Sequence, residues 1–300
     1  MDKANYDSFQ GYHPLVNFTY FALVLWFSMF IAHPLAQVIS LFAAAAYAIE
    51  CEGIKSLLFS LKFCLPIILL TVFINPAFNH AGTTRLMYLP TGNPLTLESV
   101  LFGLSAGLMM AAVLLWFVNF NRVITSDKFV YLFGKILPIL SLLLSMTLRF
   151  VPKFTARLKT VADSQRGIGR EIFGTGLLRN IRAAATVLSI TVTWALEDAI
   201  QTADSMKSHG YGLKNRTAFS IYRFDERDKM MLLWLGFCGL YLIAGSAANA
   251  FAFRFFPSIR YVRLTPLNLS FHLIHLLLLF TPTILNRMEK QKWRAIHSKM

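Results

Sequence analysis

Five stretches of this 300-residue chain contain no Asp, Glu, Lys or Arg: residues 8–49, 63–84, 99–121, 230–253 and 264–286. A helix needs about 20 apolar residues to cross roughly 30 Å of hydrocarbon. Each stretch is therefore long enough for one span, and the first for two, with His33-Pro34 where the chain must turn. Spans are expected near 15–32, 35–50, 57–75, 99–120, 230–248 and 267–286. Lys62 falls in the third, close enough to its end to snorkel toward the headgroups. With 56% apolar and only 15% charged residues, the chain has too little polar surface for a soluble fold, where charged residues are usually about 25%. The fold class expected is all-α: a polytopic membrane helix bundle of about six spans.

The net charge of +14 has two readings, nucleic-acid binding or a positively charged cytoplasmic side. Its distribution favours the second. Residues 149–229 hold 14 Lys or Arg and 8 Asp or Glu, half of the chain's charge in about a quarter of its length. The tail beyond Asn286 adds Arg287, Lys290, Lys292, Arg294 and Lys299 against Glu289. Both segments are expected in the cytoplasm, and no nucleic-acid partner is implied. The apolar run 129–148 contains Lys135 and Pro138. It is read as an interfacial helix capped by Thr125-Ser126-Asp127, since a crossing there would carry Arg149, Lys153 and Arg157 outside. Three regions follow: membrane helices over 1–128, an interfacial and cytoplasmic helical region over 129–228, and membrane helices with a basic tail over 229–300. Both termini are expected to be cytoplasmic, which leaves Arg254, Arg260 and Arg263 in an outer loop. Cys51, Cys64 and Cys238 are odd in number and far apart, so no disulfide or zinc framework is expected.

Within the charged segment a short pattern occurs twice. Ala162-Asp163-Ser164-Gln165-Arg166-Gly167-Ile168-Gly169 is echoed by Ala203-Asp204-Ser205-Met206-Lys207-Ser208-His209-Gly210-Tyr211-Gly212. Each copy closes a helical stretch. Over 153–166, Phe154, Leu158, Val161 and Ala162 recur at helical spacing. Over 179–209, the stripe reads Ile181, Ala184, Leu188, Val192, Ala195, Ala199 and Met206, widened by Val187, Ile190 and Trp194. Gly167 and Gly210 are expected to end these helices in left-handed caps. Adjacent Glu197-Asp198 reads as a solvated break. A cation at a helix C-terminus gains about 0.3–1 kcal/mol from the macrodipole, so one copy is explained by capping. Two copies on one basic segment suggest paired docking tips for a partner with two similar halves.

At these residues the chain resembles a known family, the transmembrane T component of energy-coupling factor transporters (EcfT/CbiQ). The resemblance runs from Tyr12-His13-Pro14 through Phe73-Ile74-Asn75-Pro76, Thr96-Leu97-Glu98-Ser99 and Thr125-Ser126-Asp127-Lys128 to Tyr211-Gly212-Leu213. Its most specific part is Met146-Thr147-Leu148-Arg149-Phe150-Val151-Pro152-Lys153-Phe154, which leads into the two tips. Asn75, Pro76, Arg149, Phe150 and Pro152 are the structural motif positions that the resemblance marks. It implies a non-catalytic scaffold joining a substrate-binding S component in the membrane to two cytosolic ATPases. ATP and Mg would be bound in those ATPases, and no cofactor in this chain. The cargo class implied is a vitamin or a transition-metal ion. Two long coupling helices in such proteins each end in an Ala-Arg-Gly type motif that enters an ATPase groove. The counterparts here are Gln165-Arg166-Gly167, with Gln for Ala, and Ser208-His209-Gly210, where both Ala and Arg are replaced. Histidine lacks the five-donor fork of arginine, so unequal tips and two non-identical ATPases are expected.

The chain has no phosphate-cradling GxxxxGK[ST], so nucleotide hydrolysis is assigned to partners. A secondary transporter would need carboxylates or broken helices at the bilayer midplane, and a membrane enzyme acting on lipids would need Asp-rich or His-rich span ends. Neither pattern is evident. His272 and His275 share a face in the last span, with no carboxylate or cysteine near in sequence, and read as polar packing.

Overall fold

A computed structural model describes residues 7–88, 94–134, 137–169, 177–211, 222–262 and 265–297. Among them are nine α-helices: α1 (Pro14–Phe30), α2 (Pro34–Glu52), α3 (Ile54–Phe78), α4 (Leu97–Val123), α5 (Ser126–Gly134), α6 (Pro138–Gly167), α7 (Leu177–Ser208), α8 (Glu226–Ala247) and α9 (Pro266–His297). Two small antiparallel hairpins accompany them. Strands β1 (Arg85–Tyr88) and β2 (Pro94–Thr96) lie between α3 and α4, and β3 (Phe253–Arg254) and β4 (Arg260–Tyr261) between α8 and α9. The chain divides into two compact units, Met1–Thr125 with Tyr222–Met300, and Ser126–Ile221.

Among the described residues six helices are long and apolar enough to cross a membrane: Pro34–Glu52, Ser60–Phe78, Leu97–Val123, Asn180–Ser208, Glu226–Ala247 and Pro266–Ile296. The protein is an all-α, multi-pass membrane protein. The number six agrees with the expectation from charge, but the membership differs. α1 has only 17 residues, about 26 Å of rise. Its Val16, Tyr20, Phe21 and Val24 have no exposed surface, and Tyr20 donates to the Leu279 carbonyl of α9 at 3.0 Å. One face of this helix packs on its neighbours, while Leu15, Trp26, Met29 and Phe30 on the other are exposed; it is apolar but just short of the other six. Asn180–Ser208, read from sequence as a cytoplasmic helix, meets the length and composition of a span.

Three helices run further than the charge pattern indicated. α3 continues through Pro66 and Pro76, α6 through Pro152, and α9 through Pro282 into the basic tail. The run 129–148 is not one helix: α5 ends at Gly134 and α6 starts at Pro138. Proline lacks the N–H that an interior helical position must donate, but is suited to the first turn. Ser141 of α6 then bonds back to the Val130 carbonyl of α5 at 2.9 Å.

Polar side chains bind the helices of the first unit where apolar contact gives no direction. Between α2 and α4, Ser105 donates to Gln37 at 2.5 Å, Trp116 Nε1 to Ser40 Oγ at 3.0 Å, and Asn119 to the Ala44 carbonyl at 3.1 Å. Buried Asp7 accepts from Tyr47 at 2.7 Å and from Asn286 at 2.9 Å. At the C-terminal end of α2, Glu52 pairs with Arg122 at 2.9 Å and Glu50 with Arg287 at 2.6 Å. The three cysteines are free and buried.

A tighter contact joins α3 and α4. Gly103 and Gly107 of α4 face the α3 backbone. A Cβ at Gly103 would lie 2.8 Å from the Thr71 carbonyl oxygen, and one at Gly107 would lie 2.4 Å from Thr71 Oγ1 and 2.9 Å from Ile68 Cα. This is the small-xxx-small packing that lets membrane helices approach closely. Just beyond it, the Asn75 amide donates to the Ser99 carbonyl at 2.7 Å, and Pro76 is buried. The Thr96-Leu97-Glu98-Ser99 motif caps α4. Thr96 accepts from the Ser99 N–H, and the buried Glu98 carboxylate takes the N–H groups of Thr83 and Thr84.

Candidate coupling helices and their tips

The second unit is built on α6 and α7, which pack antiparallel. Asp198 of α7 pairs with Lys153 at 2.8 Å and Arg157 at 3.1 Å. The Arg157 guanidinium stacks over the Trp194 ring at 5.2 Å. Met146 of α6 and Met206 of α7 share one cleft. Partners thus descend along α7 as they ascend along α6.

The side chains facing inward on α6 are those expected: Val161 is buried, and Phe154, Leu158 and Ala162 are half-buried. On α7 the expected stripe is split: Val187, Ile190, Ala195 and Met206 face inward, and the others are exposed. Ile181, Leu188 and Val192 are 57%, 57% and 48% exposed. The packed row is the one through Val187, Ile190, Thr191, Asp198 and Thr202. Hydropathy favoured the more apolar row, whereas the row that faces α6 holds the carboxylate its cations need. Glu197-Asp198 is accordingly no break: α7 runs unbroken past it, and Asp198 is the polar centre of the pair.

The motif residues around Arg149 lie mid-helix on this contact. Arg149, Phe150, Lys153 and Asp198 line an open cleft of about 590 Å³. Phe150 stacks on Phe154 with centroids 5.7 Å apart, and Lys153 sits 5.9 Å from the Phe150 centroid. Pro152 removes one helical donor beside them. Asn75 and Pro76 belong to the α3–α4 contact of the other unit.

The antiparallel packing sends the two motif copies to opposite ends of the pair. Along the axes, Arg166 lies about 20 Å beyond Lys153 in one direction, and His209 about 16 Å beyond Asp198 in the other. Gln165 is half-buried, while Arg166, Gly167, Ser208 and His209 are exposed. Arg166 has an ion pair with Asp163 at 3.5 Å, an exposed arrangement worth only about 0.3–0.5 kcal/mol. Ser208 turns its hydroxyl back to the Ser205 carbonyl at 2.7 Å.

The two ends are capped differently. At α7, the Tyr211 N–H reaches the Met206 carbonyl and the Gly210 N–H reaches that of Lys207, with Gly210 at φ 72°. That is a Schellman cap with glycine in the left-handed position. At α6, the expected cap residue Gly167 is the last helical residue, and Gly169 instead takes φ 79°. Its counterpart Gly212 lies outside the described residues. A Cβ at Gly167 would meet nothing within 4 Å. Gly167→Ala is therefore expected to leave the helix as stable or up to about 1 kcal/mol more so. Gly210→Ala is expected to cost about 1–2 kcal/mol, since an L side chain resists that backbone region. Amide exchange over 205–211 measures the second effect, and exchange over 160–169 the first.

No family model matches the chain. It is 30% identical over 96 residues to a curated relative from Lactobacillus helveticus (strain DPC 4571), the "Energy-coupling factor transporter transmembrane protein EcfT". The match covers 32% of this chain and 35% of that protein, so the chain spans about a third of the length of the relative it matches. Over that third the chain is similar to an EcfT protein, and the similarity supports the T-component family indicated by its motifs.

Proposed function

We propose that this chain is the transmembrane coupling subunit of an ATP-driven, energy-coupling factor type importer. It would transmit motion from two cytosolic ABC-type ATPases to a membrane-embedded S component that binds the cargo, a vitamin or a transition-metal ion. The observation that carries this reading is the antiparallel α6–α7 pair with a motif copy at each far end. Tips about 36 Å apart along the helix axes suit two separate ATPase subunits. One rigid pair held at both ends converts their approach into a displacement of its middle. ATP and Mg belong to the ATPases, and this chain performs no chemistry.

In this reading α6 and α7 lie on the cytoplasmic side and the short apolar α1 (Pro14–Phe30) is the sixth span, which returns both the N- and C-termini to that side. The apolarity of Asn180–Ser208 would otherwise suit a span, but its Asp198 is tied to two cations of α6. α6 also carries Arg149 and Lys159 in the same stretch, an expensive set of charges to place in hydrocarbon. The exposed apolar side chains Ile181, Leu188 and Val192 then offer a surface to the bilayer interface or to the S component.

The test is affinity purification of the untagged partners with this chain from its native membrane. Two ATPases of different sequence and a small membrane protein are expected to come with it. Recovery of the chain alone, competent for transport in vesicles without ATP, would mean a secondary transporter. A hydrolytic or transferase activity of the isolated chain on lipid would mean an enzyme.

A further inference from the structure

Three histidines from distant parts of the sequence meet at one end of the first unit. His33 precedes α2, and His272 and His275 lie one turn apart on α9. His33 and His272 are each 8% exposed and His275 is 1% exposed. The rings of His33 and His272 are 4.9 Å apart between centroids. Phe251 packs edge-on against His272 at 4.9 Å and lies 6.2 Å from His275, and Phe253 packs against His33 at 5.5 Å.

Nδ1 of His33, Nδ1 of His272 and both ring nitrogens of His275 are buried without a hydrogen-bond partner. Buried polar atoms are nearly always paired, and each such atom without a partner costs about 1–3 kcal/mol. Capping does not account for His33. His13-Pro14 and His33-Pro34 begin α1 and α2 in the same way, yet His13 Nδ1 accepts the Leu15 N–H at 3.2 Å, whereas the His33 side chain makes no cap bond. Its ring is turned to His272 instead.

We propose that His33 and His272 bind one divalent transition-metal ion through their Nδ1 atoms. Water completes the coordination, and His275 hydrogen-bonds to a metal-bound water. Among the described residues no three His, Cys, Asp or Glu side chains are arranged to hold a metal, so the protein supplies two ligands and the site is open. Imidazole nitrogen without carboxylate favours zinc, cobalt or nickel over magnesium or calcium. Phe251 and Phe253 pack against these imidazoles and give the site an apolar wall. Access is short, since Phe251 and Phe253 also border an open cleft of about 220 Å³ with Phe30, Ile31 and Asn249. The site is independent of the coupling role proposed for α6 and α7.

The experiment uses the full-length, untagged chain in lipid nanodiscs, loaded with Co²⁺ or Zn²⁺ and freed of excess ion by gel filtration. About one ion per chain is expected to remain, with two imidazole nitrogens in the metal-edge absorption spectrum. His33→Gln and His272→Gln should each weaken retention at least tenfold, and His275→Gln by less. Failure of the folded wild-type chain to retain stoichiometric metal would overturn the proposal, as would a spectrum lacking imidazole. Unchanged retention in both variants would also overturn it. Because the first two readouts use the wild-type chain, a variant that fails to fold does not shelter the idea.

Discussion

Under the proposed coupling role, Arg166→Ala is expected to reduce transport and ATPase recovery by about 10- to 100-fold, and His209→Ala by no more than about tenfold. A guanidinium hydrogen-bonded in a partner's groove contributes about 1.5–3 kcal/mol, and a neutral donor about 0.5–1.5. Each 1.4 kcal/mol is a factor of ten. The Asp163 pair that the alanine breaks is half-exposed and weak. A substitution that leaves folding intact but abolishes coupling separates docking from capping. Arg166→Lys should restore charge without the planar fork, and so recover only part of the loss. Measured side by side in the assembled transporter, equal losses for Arg166→Ala and His209→Ala would contradict unequal tips. If both substitutions left recovery of the ATPases untouched, the tips would be helix caps and nothing more.

Gly107→Leu is expected to destabilise the chain by about 3 kcal/mol or to prevent its folding. The first atom added would already stand 2.4 Å from Thr71 Oγ1 and 2.9 Å from the Ile68 backbone. Neither can yield without moving α3, and overpacking of this kind costs about 1–3 kcal/mol even where some relief exists. Thr71 is itself engaged, donating to the Ile67 and Ile68 carbonyls. Separation of α3 from α4 would also break the bond from Asn75 to the Ser99 carbonyl. Gly236→Leu on α8 is the control, since a Cβ there meets nothing within 4 Å, and it should change stability by less than about 0.5 kcal/mol. Thermal midpoints of the two variants in the same detergent decide the matter. Similar midpoints would show that the α3–α4 approach is not a packing constraint.

Much of the helical architecture was legible from charge alone. Absence of Asp, Glu, Lys and Arg over 20 residues or more reflects the cost of charge in hydrocarbon, and α2, α4, α8 and α9 lie where that cost placed them. Charge is silent about what covers an apolar helix. α1 is as apolar as its neighbours but short, with one face packed and the other exposed, and α7 is apolar yet bears Asp198. Proline position was informative at Pro138, where a helix begins, but not at Pro152, through which α6 continues. The candidate tips were visible because they are local: the eight residues 162–169 are echoed by the ten at 203–212, sharing Ala-Asp-Ser and Gly-x-Gly. Their supports were not, since Lys153, Arg157 and Asp198 meet only when two helices pair. The same holds for His33, which is over 230 positions from His272. Gly103 and Gly107, by contrast, were readable as a spacing and went unread because glycine in an apolar run is common in membrane helices.

The Asp7 carboxylate shapes how this protein is made. It lies at the beginning of the described chain, yet it accepts from Asn286, and the Phe9 N–H donates to the same Asn286 side chain at 3.2 Å. Tyr20 similarly waits for the Leu279 carbonyl. Such contacts span 259 to 279 positions, so a chain emerging from the ribosome holds its first polar groups incomplete until the last helix is delivered. Before α9 is delivered, Asp7 has Tyr47 as a donor but lacks the Asn286 amide, and Tyr20 lacks the Leu279 carbonyl.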